Sequence, residues 1–158
     1  MLRYLWITAV VVILDQVTKF AAVTYLAYHV EKQLLPFLSL TLTYNRGAAF
    51  GFLNDQPGWQ KFFFIVVAVA AVAFIFVWLR RLAPHDKWIA VALALILGGA
   101  VGNLLDRVIY GYVVDFIDVI FGSWHFWIFN IADSAISIGA VVLVLDTLGI
   151  GKSVSQRR

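Results

Sequence analysis

Two stretches of this chain run for eighteen residues without a charge, Phe62 to Leu79 and Trp88 to Leu105. At about 1.5 Å of rise per residue, each makes a helix about 27 Å long, close to the hydrocarbon thickness of a bilayer. A third apolar run goes from Tyr4 to Leu26 and is interrupted by Asp15 and Lys19. A fourth, Ile131 to Leu148, carries Asp133 near its start and Asp146 near its end. The pattern predicts four transmembrane helices, over residues 4–26, 60–79, 88–106 and 131–149. One segment has a different period. Leu38-Ser-Leu-Thr-Leu-Thr-Tyr44 alternates apolar and polar, as a half-buried strand does. Asn45-Arg46-Gly47 supplies a turn and 48–53 a returning strand, giving an outward β element over 34–53. Its leucines are expected to lie on the helices or membrane and its Ser/Thr face toward water.

Composition agrees: 63% of the 158 residues are apolar and only 13% charged. A water-soluble globule carries about a quarter charged residues, so that class is excluded, as is a disordered chain. The formal charge of +3 comes from scattered basic residues, which is no nucleic-acid footprint. The absence of cysteine removes disulfides, thiolate metal sites and a cysteine nucleophile. Trp6, Trp59, Trp78, Trp88, Trp124 and Trp127 all fall at or just outside predicted helix ends, where indoles favour the membrane interface.

Positive charge orients the chain. Arg3, Arg80, Arg81, Lys87, Lys152, Arg157 and Arg158 fall on one side, against Lys32, Arg46 and Lys61 on the other. The positive-inside bias puts both termini in the cytoplasm and turns segments 27–59 and 107–130 outward. The first helix resembles a secretory signal, but Asp15 and Lys19 interrupt it and no small-residue cleavage site follows, so it is expected to be retained.

Each ionisable group inside a span costs about 2.5–3.5 kcal/mol and needs a reason. Asp15 and Lys19 are spaced i,i+4, acid first, which suits pairing along one helix face. Counted by depth, Asp15 lies near mid-membrane, Lys19, Asn103, Asp106, Arg107, Asn130 and Asp133 lie in the outer half of the bundle or at its outer end, and Asp115 belongs to the outer segment. The three histidines are too dispersed for a metal site. A Ser/Lys pair through Lys19 is a possible catalyst, but carboxylates dominate this level: Asp106, Asp115, Asp118 and Asp133. Two carboxylates held together share a proton, one serving as base and the other as acid. Asp115–Asp133 is one such pair. Structural roles stand beside it: a helix-end ion pair for Asp106 and Arg107, and an N-terminal cap for Asp133.

Five blocks at these residues resemble bacterial lipoprotein signal peptidase, the signal peptidase II family of membrane aspartyl proteases. They are Asp15-Gln-Val-Thr-Lys19, Tyr44-Asn-Arg-Gly-Ala-Ala-Phe50, Gly98-Gly-Ala-Val-Gly-Asn-Leu-Leu-Asp-Arg107, Val113-Val-Asp-Phe-Ile117 and Phe129-Asn-Ile-Ala-Asp-Ser134. The resemblance implies a single membrane peptidase domain over 1–158, all-α with a small β element: a four-helix bundle bearing an outward β-cradle. It implies Asp115 and Asp133 as the catalytic pair, with Asn45, Gly47, Asn103, Arg107 and Asn130 lining the substrate site. Asp15, Lys19 and Asp106 complete the supporting set. The implied activity is cleavage of diacylglyceryl-modified prolipoproteins N-terminal to the lipidated cysteine, in the bacterial inner membrane, without metal or cofactor. Membrane lipid and the inhibitor globomycin are the other implied partners, and the protein is expected to be a monomer. Acyl chains are expected against Phe116, Ile117 and Leu104. A proton-coupled exporter built on Asp15 fits less well, because the polar groups gather at one face rather than the midplane. A non-enzymatic assembly subunit would leave that cluster dispensable.

Overall fold

The long apolar runs fold as helices. In the computed structural model, which describes residues 1–47, 58–122 and 124–149, a 3-10 turn at Leu2–Tyr4 leads into α1 (Leu5–Tyr25). α2 (Trp59–Arg81), α3 (Lys87–Ile109) and α4 (Ile131–Thr147) follow. α1 with its leading turn, α2 and α3 are long and apolar enough to cross a membrane, and α4 has 17 residues. Large apolar side chains such as Phe20, Phe62, Val66 and Phe74 stand uncovered on α1 and α2, as a lipid-facing surface requires. α3 runs three residues beyond its expected end at 106, so Asp106 and Arg107 lie inside its last turns.

α3 is the central element, with α1, α2 and α4 all packed on it. The five residues between α2 and α3 make those two an antiparallel hairpin, as expected from the short connection. Leu79, Ala90, Leu93 and Leu97 form the α2–α3 core. On the α4 side, small residues replace large ones: Gly99 lies against the Ala132 carbonyl, and Gly139 against the Ala92 carbonyl. Between apolar helices with lipid outside, such close backbone approach is what dispersion can use.

The β element differs from the expected one. Four antiparallel strands form a sheet in the order β1 (Glu31–Leu35), β2 (Leu38–Asn45), β3 (Val113–Phe121), β4 (Trp124–His125). β2 pairs back to β1 and forward to β3, and the strand expected over 48–53 falls outside the described residues. β1 reads Glu-Lys-Gln-Leu-Leu and is exposed throughout, an edge strand with no period-two signature. β3 reads apolar except at Asp115 and Asp118 and does not alternate, because it is covered on both faces along most of its length. The expected facing of β2 holds for Leu42 and Leu40, which pack in the core with Ala22 of α1, and is corrected at Ser39, which is fully buried. The register with β3 shifts between Leu40 and Thr43, and such an irregularity turns a different side chain toward the interior. Ala22 of α1, Leu42, Val114 and Phe116 form the core that seats the sheet on the helices.

Candidate active site

α4 begins at Asn130, and the site is organised around that start. The Asn130 side-chain oxygen accepts the Asp133 N–H at 2.9 Å, and the Asn130 N–H donates to Asp133 Oδ2 at 3.3 Å. This is a capping box with aspartate at its third position. The same Asn130 turns its Nδ2 to Asp115 Oδ1 at 2.6 Å and to Asn103 Oδ1 at 3.2 Å. A helix cap and a carboxylate clamp are thus one side chain. The expected N-cap at Asp133 is corrected: Asn130 is the cap and Asp133 stands at the third helical position, bonding back to it through Oδ2 and leaving Oδ1 available to Asn103 Nδ2 at 2.8 Å.

Asp115 reaches the same place from the sheet. It stands opposite Thr43 on β3, and its Oδ2 accepts from Asn45 Nδ2 at 3.2 Å. Asn45 in turn receives the Gly47 N–H at 3.0 Å, while the Gly47 carbonyl accepts from Arg107 Nη2 at 3.1 Å. Arg107 also donates to the Asn103 carbonyl at 3.4 Å and lies over the Phe64 ring. The guanidinium therefore holds the end of β2 against α3.

Beneath these lies a buried ionic layer. Lys19 Nζ is 2.8 Å from Asp15 Oδ2, 3.0 Å from Asp106 Oδ2 and 2.9 Å from Asn103 Oδ1. Asp15 Oδ1 accepts the Ala132 N–H at 2.9 Å, and Asp106 Oδ2 accepts the Val114 N–H at 3.0 Å. The layer thus fixes α4 and β3, the two elements that carry the aspartates. An Asp106–Arg107 ion pair does not form. Neighbouring helix positions point about 100° apart, so Asp106 faces α1 while Arg107 faces the end of β2.

Every expected site residue joins this network: Asp15, Lys19, Asn45, Gly47, Asn103, Asp106, Arg107, Asp115, Asn130 and Asp133. Asp115 and Asp133 line one cavity of about 870 Å³ together with Tyr28, Tyr44, Arg107 and Trp127. Burial pushes the Asp115 carboxyl up to about 7, and the negative charge of Asp133 adds to the rise. Each aspartate thus has asparagine donors, and the charge of Asp133 disfavours ionisation of Asp115. The apolar wall consists of Val113, Ile128 and Ile136, not the expected Phe116, Ile117 and Leu104. Phe116 is drawn instead into the core under the sheet.

Sequence reasoning missed two features. Gln16 donates to Asp106 Oδ1 at 3.0 Å and to the Gly102 carbonyl at 3.3 Å, on the same helix face as Lys19. Its position inside the Asp15–Lys19 block was the available signal. His125 and Asp118 meet at 2.9 Å across the β3–β4 turn, which only the strand pairing reveals.

Apolar helices that enclose a carboxylate-lined cavity beside a small sheet define a membrane enzyme. Comparison with known proteins gives its kind. The family model described as Signal peptidase (SPase) II matches residues 7–149. A lipoprotein signal peptidase of Pseudomonas syringae pv. tomato is 49% identical over 147 residues, covering 92% of this chain and 85% of the relative. One from Pseudomonas paraeruginosa is 50% identical over 154 residues, covering 96% and 91%. A solved bacterial membrane enzyme superposes with a TM-score of 0.85 at 32% identity, covering 99% of this chain and 93% of the other. The chain belongs to the signal peptidase II family of aspartic-type peptidases.

Proposed function

We propose that this protein removes the signal peptide from diacylglyceryl-modified prolipoproteins, cutting N-terminal to the lipidated cysteine with Asp115 and Asp133 as its catalytic pair. The observation that carries this is Asn130, which caps the helix presenting Asp133 while donating to Asp115, so that two carboxylates face one cavity. Asp115, whose carboxyl is raised to about 7, holds the proton the pair shares. Asp133 takes a proton from water as the water oxygen attacks the scissile carbonyl, and Asp115 gives its proton to the carbonyl oxygen. As the tetrahedral intermediate collapses and its C–N bond breaks, the proton on Asp133 passes to the leaving amine and a hydroxyl proton of the intermediate returns to Asp115. These steps balance without metal or cofactor. Asn45, Asn103 and Asn130 aim the carboxylates, Arg107 and Gly47 shape the wall, and Asp15, Lys19 and Asp106 brace the site from below.

The lipid anchor explains the setting. Acyl chains hold the cysteine at the membrane surface, so its scissile bond lies where the helices end and the sheet begins. Val113, Ile128 and Ile136 offer those chains an apolar wall. In this arrangement α4 is a fourth, short span, the sheet is a cradle on the outer face, and both termini are cytoplasmic in the bacterial inner membrane. Arg80, Arg81 and Lys87 at the α2–α3 turn support that orientation. One domain works as a monomer, and globomycin inhibits it.

Purified protein should cleave a diacylglyceryl-modified prolipoprotein and leave the same precursor without the lipid at least about 100-fold less cleaved, because acyl burial supplies positioning energy. Mass spectrometry of the products checks the bond. Equal turnover of both precursors would contradict the lipid-anchored site.

A further inference from the structure

One titratable pair, His125 on the cavity wall and the buried Asp118 bonded to it, has no part in the dyad. Asp118, three residues along β3 from Asp115, is 3% exposed. Its ladder partner Ser39 donates to Glu31 at 2.6 Å instead of to it. Asp118 Oδ2 lies 2.9 Å from His125 Nδ1 and 3.5 Å from Thr41 Oγ1, and its Oδ1 has no partner among the described residues. A carboxylate so buried and so thinly bonded is costly to keep, and His125 is its principal counter-group.

His125 shares the cavity with Asp115 and Asp133, and its imidazole is about half exposed there. With Nδ1 fixed by Asp118, Nε2 is the nitrogen left for an occupant, the arrangement in which a carboxylate orients a working histidine. A purely structural clasp would be redundant. The chain after β4 is already tied to β3 by Phe126 N–H to the Val119 carbonyl at 2.8 Å and by the Phe129–Ile117 exchange at 2.8 and 3.0 Å.

We propose that His125, oriented by Asp118, contacts the substrate, donating from Nε2 to a backbone carbonyl on the lipoprotein side of the scissile bond. His125 stands opposite Ile120, beyond Asp115 along β3, and lines the same cavity as Asp115. The side comes from topology. The start of β3 adjoins the end of α3, and its far end pairs with β4, away from the helices among which an apolar signal segment belongs. The inference rests on the proposed function.

The groups facing His125 are Asp118 on β3 and Glu31 on β1. The hydrogen bond and charge of Asp118, with Glu31 adding to them, raise the imidazole above its ordinary range. His29 and Asp133 also line the cavity, so binding must be compared with and without His125. The test is binding of a lipid-modified prolipoprotein peptide to the Asp115→Asn protein, in which Asp115 cannot titrate. As pH rises from about 6 to about 9 and His125 loses its proton, Kd should rise about tenfold, the worth of one charged hydrogen bond. Adding Asp118→Asn should move that transition down by about one pH unit. Adding His125→Ala should give weak binding without the transition, and His125→Gln, which keeps a donor, should recover most of the affinity. A His125→Ala profile that superimposes on its parent, or a transition unmoved by Asp118→Asn, would overturn the assignment. Turnover by the Asp115→Asn protein would count against the dyad alone.

Discussion

Lys19 directs all three of its ammonium protons to protein acceptors, two carboxylates and one amide, while only 3% of its surface is exposed. Each bond leads to a working part: Asp15 to the start of α4, Asp106 to β3, Asn103 to Asp133. Removing the cation would strand two buried carboxylates, so Lys19→Met should cost about 3–5 kcal/mol of stability, read by thermal or denaturant unfolding. An unchanged midpoint would mean the layer is solvated in a way its burial denies. The dyad makes a separate prediction. Asp115 carries its proton below about 7, well above its ordinary 3.8. Activity that needs this proton should therefore hold through mildly acidic pH and fall as pH rises through about 7, seen in kcat/KM. The sign for stability is the same. Between 3.8 and about 7 the folded protein keeps a proton the unfolded chain has shed, so stability declines as pH rises across that window.

Among the elements, the α3–α4 seam determines whether the two aspartates meet. Asp133 is carried by α4, and α4 sits where it does because Gly99 and Gly139 let two backbones approach. A Cβ at Gly139 would lie 2.7 Å from the Ala92 carbonyl oxygen, which cannot yield as a flexible side chain would. Gly139→Ala should accordingly lose about 1–3 kcal/mol through overpacking and lower kcat by shifting Asp133, although it lies two turns away. Wild-type stability and kcat together would show that the seam has slack. The elements also separate what was legible in the sequence from what was not. Uncharged runs of eighteen residues have one economical outcome beside lipid, and the helices came within about three residues of their expected ends. β1 is polar and exposed, so periodicity had nothing to report. β3 hid because a strand covered on both faces does not alternate, and the register shift in β2 put Ser39 inside against its pattern. The site was legible because depth along a helix follows from counting. The bonds of Asn130, the turn of Asp106 toward Lys19 and the His125–Asp118 pair depend on contacts between segments, which spacing does not encode.

For the molecule as a whole, scarce polarity is the organising fact. With 13% of its residues charged, the chain gathers its buried ionic groups where α1, α3 and α4 meet the sheet. Apolar helices supply a scaffold that tolerates few polar groups, and the sheet brings Asp115 to the cavity on β3. The central claim is that two carboxylates, one from β3 and one from α4, perform the cleavage. The most direct measurement is turnover of a diacylglyceryl-modified prolipoprotein by purified Asp115→Asn and Asp133→Asn proteins, each first verified to be folded and to bind the precursor. Each substitution should lower kcat by at least about 10³-fold, since each removes a proton-transfer group the other cannot replace. Turnover within tenfold of the unaltered protein in either variant would contradict the dyad.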